Sequence, residues 1–378
     1  MIIGAGIMQK PIIDKAKYLG HYVITIDKDI NAPGNVNAHL PLEIDTNDFD
    51  SILKAAIEHS IDGILTSSDF PVRVVAKVCK ALKLKGPTIK ASIICTDKFL
   101  IREHLFHNNF NTPSYKIINS NLDENIDLLY PLVIKPVDSS GSRGVKRIDS
   151  INDLLTSINE SKTFSRSSTV ILEEFISGNE YSIEALTQNG ISHIIAITDK
   201  TVIGHGGLSF VEDRHIIPAQ LNERDSTLIK ETVIRLIESL EIGDSATHAE
   251  IKLTKKGIFI IEIGARLGGD YITSDLVPLA TGIDMLENVI NIALDIPINI
   301  TKTSNNYSGI QFINSENYHS IKKYIESNLD KIESFHIEPF TQKELKSSFD
   351  RLGFFIAKGK TNDKLLNILN CKKNDTVY

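Results

Sequence analysis

The stretch that most constrains this chain is residues 248–270, HAEIKLTKKGIFIIEIGARLGGD. It reads as two strands joined by a tight turn at Lys255-Lys256-Gly257. Glu250 lies on the first strand, Glu262 near the end of the second, and Arg266 and a glycine pair follow. Side chains alternate along a strand with a period of two, so a hairpin of this length can set both glutamates side by side on one face. Two carboxylates that close repel unless a cation sits between them. Hard oxygen ligands suit magnesium, which binds through one or two carboxylates and completes its shell with water and substrate phosphates. An ordinary solvent-facing hairpin would carry the same pair. Here, however, Ile258, Phe259, Ile260, Ile261 and Ile263 make Glu262 the one ionisable residue in an apolar strand, and an ionisable group there needs a reason.

The 378 residues allow two or three domains with ample core. A hydrophobic content of 42% and a charged content of 24% are those of a soluble globular protein. The formal charge of -7 leaves no basic footprint, which argues against a nucleic-acid partner. Cys79, Cys95 and Cys371 are widely spaced, with no CxxC and no secretory leader before them. That fits a reducing cytoplasm and argues against zinc or a disulfide framework. No apolar run approaches the roughly 20 residues that span a bilayer, so no membrane partner is expected. There is no long internal repeat or low-complexity tract.

The opening, MIIGAGIMQKPIIDKAKYLGHYVITIDKD, is a strand, a glycine turn, an amphipathic helix and a strand ending in Asp27 and Asp29. It looks like a dinucleotide fold with an incomplete glycine pattern: Gly4 and Gly6 are present, but Gln9 holds the third position. The first strand is very short, as if a few residues were missing before it. A helix over 48–59, a strand at 61–68 (IDGILTSS), a helix over 71–84 and a turn at Lys85-Gly86-Pro87 follow. Such alternation predicts a parallel sheet covered by helices, in a small α/β domain over residues 1–90.

Thr96 is placed to cap a helix that carries Lys98. After TPSYKIIN and an acidic helical stretch comes YPLVIKPVDSSGSRGVKRI. A strand over 132–135 delivers Lys135, Pro136 stops the ladder, and a small-residue loop over 138–144 precedes a strand from Val145. The backbone N–H groups of such a loop can cradle phosphate oxygens, although it has no Walker GK[ST] and no helix behind it, and a plain hairpin loop reads the same way. Residues 169–186, TVILEEFISGNEYSIEAL, give a strand, a linker at 175–178 and another strand, with Glu173 and Glu180 bracketing free backbone.

Lys98, IKP with Lys135, SSGSRG, EEFISGNE and the Glu250/Glu262 pair ending in EIGAR stand in an order that resembles the ATP-grasp family. The resemblance covers residues 1–300. It extends weakly to DRLGFFIAKG at 350–359, which is similar to the closing strand of the carbamoyl-phosphate-synthetase-like and amino acid ligase branch. It implies an N-terminal parallel-sheet, Rossmann-like domain, then an ATP-grasp domain over 91–300 with a lid at 115–180, and an α+β part over 301–378 whose helices pack on strands near 353–358. ATP would lie between lid and C-terminal domain, with magnesium, or manganese as the alternative ion.

The resemblance also implies roles. Lys98 and Lys135 would contact the nucleotide phosphates, with Lys135 also near the adenine. Ser140, Gly141, Ser142 and Gly144 would lie over the β- and γ-phosphates. Glu173 and the backbone of Phe175 and Ile176 would read the adenine, and Glu180 would hold the ribose. Glu250 and Glu262 would hold the metal, and Arg266 would face the γ-phosphate, acting with Lys135 and Ser142 in catalysis. One departure is Gly264, where many relatives carry a ligating asparagine; this puts the number of metal ions in doubt.

Residues 199–221 resemble the acceptor-pocket lining of amino acid ligases, with His205, Glu212 and His215 as polar candidates. Arg266, Gly268 and Gly269 approach from the other side, and Tyr271, Thr273 and Ser274 complete the surroundings. Either histidine alone reads equally as a surface or core residue. The expected activity is ATP-dependent joining of a small-molecule carboxylate to an amine through an acyl phosphate, with an amino acid as one substrate. The alternatives are a carboxyphosphate-forming enzyme of purine, carbamoyl-phosphate or biotin type, and an ATP-binding regulatory protein with a worn site. Family members commonly form homodimers, and nothing in these residues decides that point.

Overall fold

The structure, a computed structural model, describes residues 1–119, 127–203 and 210–370. His205, Cys371 and most of the expected acidic helical stretch lie outside the described residues. Strands Ile2–Ile3 (β1), Ile24–Asp27 (β2) and Leu40–Glu43 (β3) form a parallel sheet in the order β1-β2-β3. The helix Lys10–Tyr18 between the first two carries proline in its first turn and buries Ile12, Ile13 and Ala16. Gly4 turns the chain with φ +91°. Asp27, at the end of β2, accepts the Ala5 N–H at 2.8 Å, so this carboxylate braces the glycine turn.

Two local expectations are corrected. No strand forms at 61–68; only Leu65 bridges Ile2. Leu65 keeps backbone bonds to Met1 O and from Ile3 N, but the Thr66 hydroxyl then donates to the Ile3 carbonyl at 2.8 Å and accepts the Ser68 N–H at 3.0 Å, so a side chain takes the next rung. Helix Lys98–His107 is capped by Asp97, whose carboxylate accepts the N–H groups of Phe99 and Leu100. Thr96 instead donates to Ser92 O at 2.7 Å and accepts from Arg73 Nε at 2.5 Å. A carboxylate is the stronger acceptor at the positive end of a helix.

A second, antiparallel sheet contains Tyr115–Ile118 (β4), Leu132–Pro136 (β5), Lys146–Ile148 (β6) and Val170–Glu174 (β7) in the order β4-β7-β5-β6. Pro136 is itself the last rung of β5, opposite Val170. Helix Leu154–Lys162 covers one face with Leu154 and Ile158, closing a small core with Leu132, Ile134 and Val170.

The largest sheet has eight antiparallel strands. They are Asn179–Gln188 (β8), Ile191–Ile203 (β9), Val211–Ile217 (β10), Ser245–Thr254 (β11), Gly257–Gly264 (β12), Tyr307–Ile313 (β13), Ser334–Ile337 (β14) and Gly353–Gly359 (β15). Their order is β12-β11-β8-β9-β10-β13-β15-β14, so the strands beyond residue 301 extend the sheet that carries the glutamate hairpin. Helix Glu223–Leu240 packs Ile229, Val233 and Ile237 with Ile183, Ile251 and Ile260. Another core joins Leu186, Ala246 and Ile310 to helix Met285–Ala293 and to Ile12 and Ile13 of the first helix. The helices expected near 319–329 and 364–369 are Tyr318–Ser327 and Asn362–Leu369.

Candidate active site

Glu250 and Glu262 are register partners across β11 and β12, and a bulge follows Glu250. A bulge re-aims the side chains beside it. Lys200 of β9, which sequence reasoning missed, meets Glu250 of this pair with its side chain 2% exposed. Its Nζ lies 2.7 Å from Glu250, 3.1 Å from Glu180 and 3.7 Å from Glu212. Burial alone would lower the lysine's pKa, but these three carboxylates hold it well above its usual value. Burial would likewise raise the Glu250 carboxyl, but Lys200 and His248 hold it well below the usual carboxylate range.

His248 was also missed. Its Nδ1 is 2.6 Å from Glu184 Oε1 and its Nε2 is 3.3 Å from Glu250 Oε1. Burial disfavours the imidazolium, yet Glu184 beside it outweighs burial and raises the pKa to about 9. The available signal was the register: Glu184 of β8 faces His248 of β11 directly.

Lys98, at the start of its helix, binds the small-residue loop from below. Its backbone N–H donates to Val137 O at 3.0 Å and its Nζ donates to Ser139 O at 2.7 Å, while Nζ stands 3.9 Å from Glu262. Gly141, Ser142 and Gly144 all have positive φ, which turns successive backbone amides along the loop. A Cβ on Gly144 would strike Phe164 and Pro136 at 2.9 Å, so this glycine serves the packing of the loop's foot. Asp138 ties that foot to the next turn, accepting from Ser165 Oγ at 2.7 Å and from the N–H groups of Arg166 and Ser167 at 3.1 and 3.0 Å.

Glu173 is buried, and both its oxygens accept from cations: Oε1 from Arg102 Nε and Oε2 from Lys135 Nζ, each at 2.8 Å. Burial would raise its carboxyl, but Arg102 and Lys135 pull it down to about 2. Glu173 therefore aims Lys135, and its own oxygens are engaged.

One cleft gathers Lys98, Lys135, Ser140, Gly141, Ser142 and Glu173 along with Phe175, Ile176 and Glu180. Glu212, Glu250 and Glu262 line the same cleft. Phe175 and Phe210 face each other at 6.2 Å, and Lys252 lies 5.1 Å from the Phe175 ring while donating to Ile176 O at 3.1 Å. Gly144, His215, Arg266 and Gly268 are not among the lining residues.

At the other end, Arg351 forks onto Asp270, with Nη1 and Nη2 donating at 3.0 Å to the two oxygens, and Nη2 also donates to Glu212 at 2.6 Å. His215, 1% exposed, places Nε2 3.4 Å from Asp270, and among the described residues its Nδ1 has no partner. Arg266 donates from Nε to Asp69 at 2.5 Å and from Nη1 to Leu267 O at 2.8 Å. The Gly268 N–H donates to Glu184 at 3.3 Å, and a Cβ there would meet Glu184 and His248 at 2.7 Å. Asp270 and Tyr271 both carry positive φ just before a π-helical turn, Ile272–Leu276. Strain of this kind gathers at functional sites.

The residues fit a magnesium ion held by two carboxylates, although among the described residues no cluster of three metal-ligating side chains forms. At Gly264 a Cβ would rest 3.4 Å from Arg266 Cγ, so the arginine occupies the space that a longer side chain would use. Among the described residues no single helix is long and apolar enough to cross a membrane.

Residues 128–275 match the sequence profile of the ATP-grasp domain. The chain is 28% identical over 274 residues to alanine–anticapsin ligase of Bacillus subtilis strain 168, covering 64% of this chain and 56% of that protein. It is 25% identical over 302 residues to phosphoribosylamine–glycine ligase of Caldanaerobacter subterraneus subsp. tengcongensis, covering 74% of this chain and 71% of that protein. The crystal structure of an L-amino acid ligase from Bacillus licheniformis superposes with a TM-score of 0.81 at 25% identity, over 98% of this chain and 95% of that one. The ordered motifs, the matched profile and the two antiparallel sheets that frame the cleft identify an ATP-grasp domain over residues 128–275, in a chain similar to alanine–anticapsin, phosphoribosylamine–glycine and L-amino acid ligases.

Proposed function

We propose that the chain is an ATP-dependent carboxylate–amine ligase that forms an amide or peptide bond through an acyl phosphate, with an amino acid as one substrate, and releases ADP and phosphate. The observation that carries this reading is the in-register pair Glu250/Glu262 at one end of a cleft whose other walls supply Lys98, Lys135 and the turned loop amides. A carboxylate is a poor electrophile, so it must be activated before an amine can attack. Lys98, Lys135 and the loop around Ser142 supply positive charge and N–H donors aimed at phosphate oxygens. Glu250 and Glu262 would hold magnesium, which when bound neutralises charge on the transferring phosphoryl group. Phe175, the Ile176 backbone and Glu180 take the adenosine end, with Glu173 fixing Lys135 between base and phosphates. Arg266 faces the transferring group, and the loop, closed over the site, keeps water from the activated acid. Glu212, which lines the cleft, receives the ammonium group of the amino acid, and the buried His215 supports Asp270 behind it.

The test is ADP release from MgATP over a panel of amino acids, singly and in pairs, with hydroxylamine as a trap and bicarbonate as a control. A hydroxamate formed with one acid is the expected result. ADP formed with bicarbonate alone would select carboxyphosphate chemistry, and tight ATP binding without turnover on any acid would overturn the ligase reading.

A further inference from the structure

The partner of Arg266 comes from outside the matched domain. Asp69 lies 197 residues away in sequence, in the turn where Thr66 replaces the expected strand. Its carboxylate accepts from Arg266 Nε at 2.5 Å, with the Asp69 and Arg266 side chains only 21% and 14% exposed. With Nη1 fixed on Leu267 O, the guanidinium is held at two points. Among the described residues Nη2 takes no partner. Lys98 and His248 also act on this carboxylate electrostatically. The next residue, Phe70, lies under Arg166, whose guanidinium carbon is 3.9 Å from the ring centroid. Arg166 belongs to the turn that Asp138 ties to the foot of the phosphate loop. One turn of the N-terminal domain thus touches both the arginine at the reacting end and the lid.

We infer that Asp69 is a positioning residue for phosphoryl transfer: it fixes Arg266 in the orientation that meets the transferring phosphate. The inference rests on the ligase reading, in which Arg266 faces that group. A free arginine must surrender rotamer entropy when the phosphate arrives, whereas one already held on a carboxylate has done so in the folded protein. An opposite role is also chemically coherent, in which Asp69 sequesters Arg266 until a ligand displaces it. The two roles predict opposite signs.

The experiment uses the full chain and calorimetric binding of MgADP, with and without aluminium fluoride as a stand-in for the transferring phosphoryl group. Asp69→Asn keeps the shape and removes the charge. It is expected to bind MgADP within about twofold of wild type and the aluminium fluoride complex at least roughly tenfold more weakly. In an Arg266→Gln background the same change is expected to add nothing. Asp69→Glu, which keeps the charge, is expected to recover part of the loss and replaces Asp69→Asn if that variant fails to fold. Equal or tighter binding of the fluoride complex by Asp69→Asn overturns the inference, as does equal weakening of both ligands, which would mark a merely structural role. If wild type itself fails to bind MgADP, the ligase reading falls and this inference falls with it.

Discussion

Lys200 Nζ lies 2.7 Å from Glu250 Oε1, so the carboxylate at the end of the cleft already has a cationic neighbour. Lys200→Met would leave Glu180, Glu212 and Glu250 close together without it. The expected cost is about 3 kcal/mol in EDTA, since removing one partner strands buried charge. Magnesium should then raise the melting temperature of the variant more than that of wild type. Thermal unfolding with EDTA and with magnesium measures both effects, and an equal magnesium shift in the two proteins would contradict a shared site.

Glu173→Gln removes the charge that Arg102 and Lys135 share. Unfolding by denaturant should show a loss of about 3 kcal/mol at neutral pH, and the KM for ATP should rise as Lys135 loosens. The pH sign follows from the lowered carboxyl. Its contribution to stability is fully present above the ordinary glutamate value of 4.5 and is lost as pH falls through about 2. The stabilities of wild type and variant should therefore converge in strong acid.

Arg351→Lys keeps the charge but loses the fork that spans Asp270 and Glu212. The expected outcome is a rise of roughly tenfold in KM for the acceptor amino acid, with KM for ATP unchanged. Steady-state kinetics in both substrates checks it. A change confined to ATP would move this cluster to the nucleotide end.

Gly141 has φ +67°, and a Cβ there would come within 3.2 Å of the exposed Phe349 ring. Gly141→Val should cost about 1–2 kcal/mol within the loop, because a side chain is strained in this conformation. The expected signature is weaker ATP binding with the melting temperature nearly unchanged, since the loop tip is exposed.

The hairpin over 248–270 was legible because its information is local: alternation put Glu250 opposite Glu262, and Gly257 supplied the positive φ that the turn requires. The loop over 138–144 was legible for the same reason. The strand expected at 61–68 shrank to a single bridge at Leu65, beyond which a threonine hydroxyl takes the Ile3 carbonyl, and no periodicity reports that. Lys200, Asp69 and Arg351 were illegible for a different reason. Each looks like a surface residue in its own segment, and its meaning arises from an oppositely charged partner 50, 197 and 139 residues away, respectively. Glu173 shows the intermediate case: its place in the cleft was readable, but the buried arginine that claims it was not.

β12 is the outermost strand of the eight-stranded sheet. Its outward carbonyls at Ile260 and Ile261 accept from Arg102 at 3.2 and 2.8 Å, and the Ile260 N–H donates to Asn111 O at 3.3 Å. An apolar strand with unsatisfied backbone is a template for other chains. The guanidinium that anchors Glu173 therefore also guards the sheet edge: without it, the Ile260 and Ile261 carbonyls of GIFIIEIG would lose their donors on an apolar strand of the kind other chains pair with.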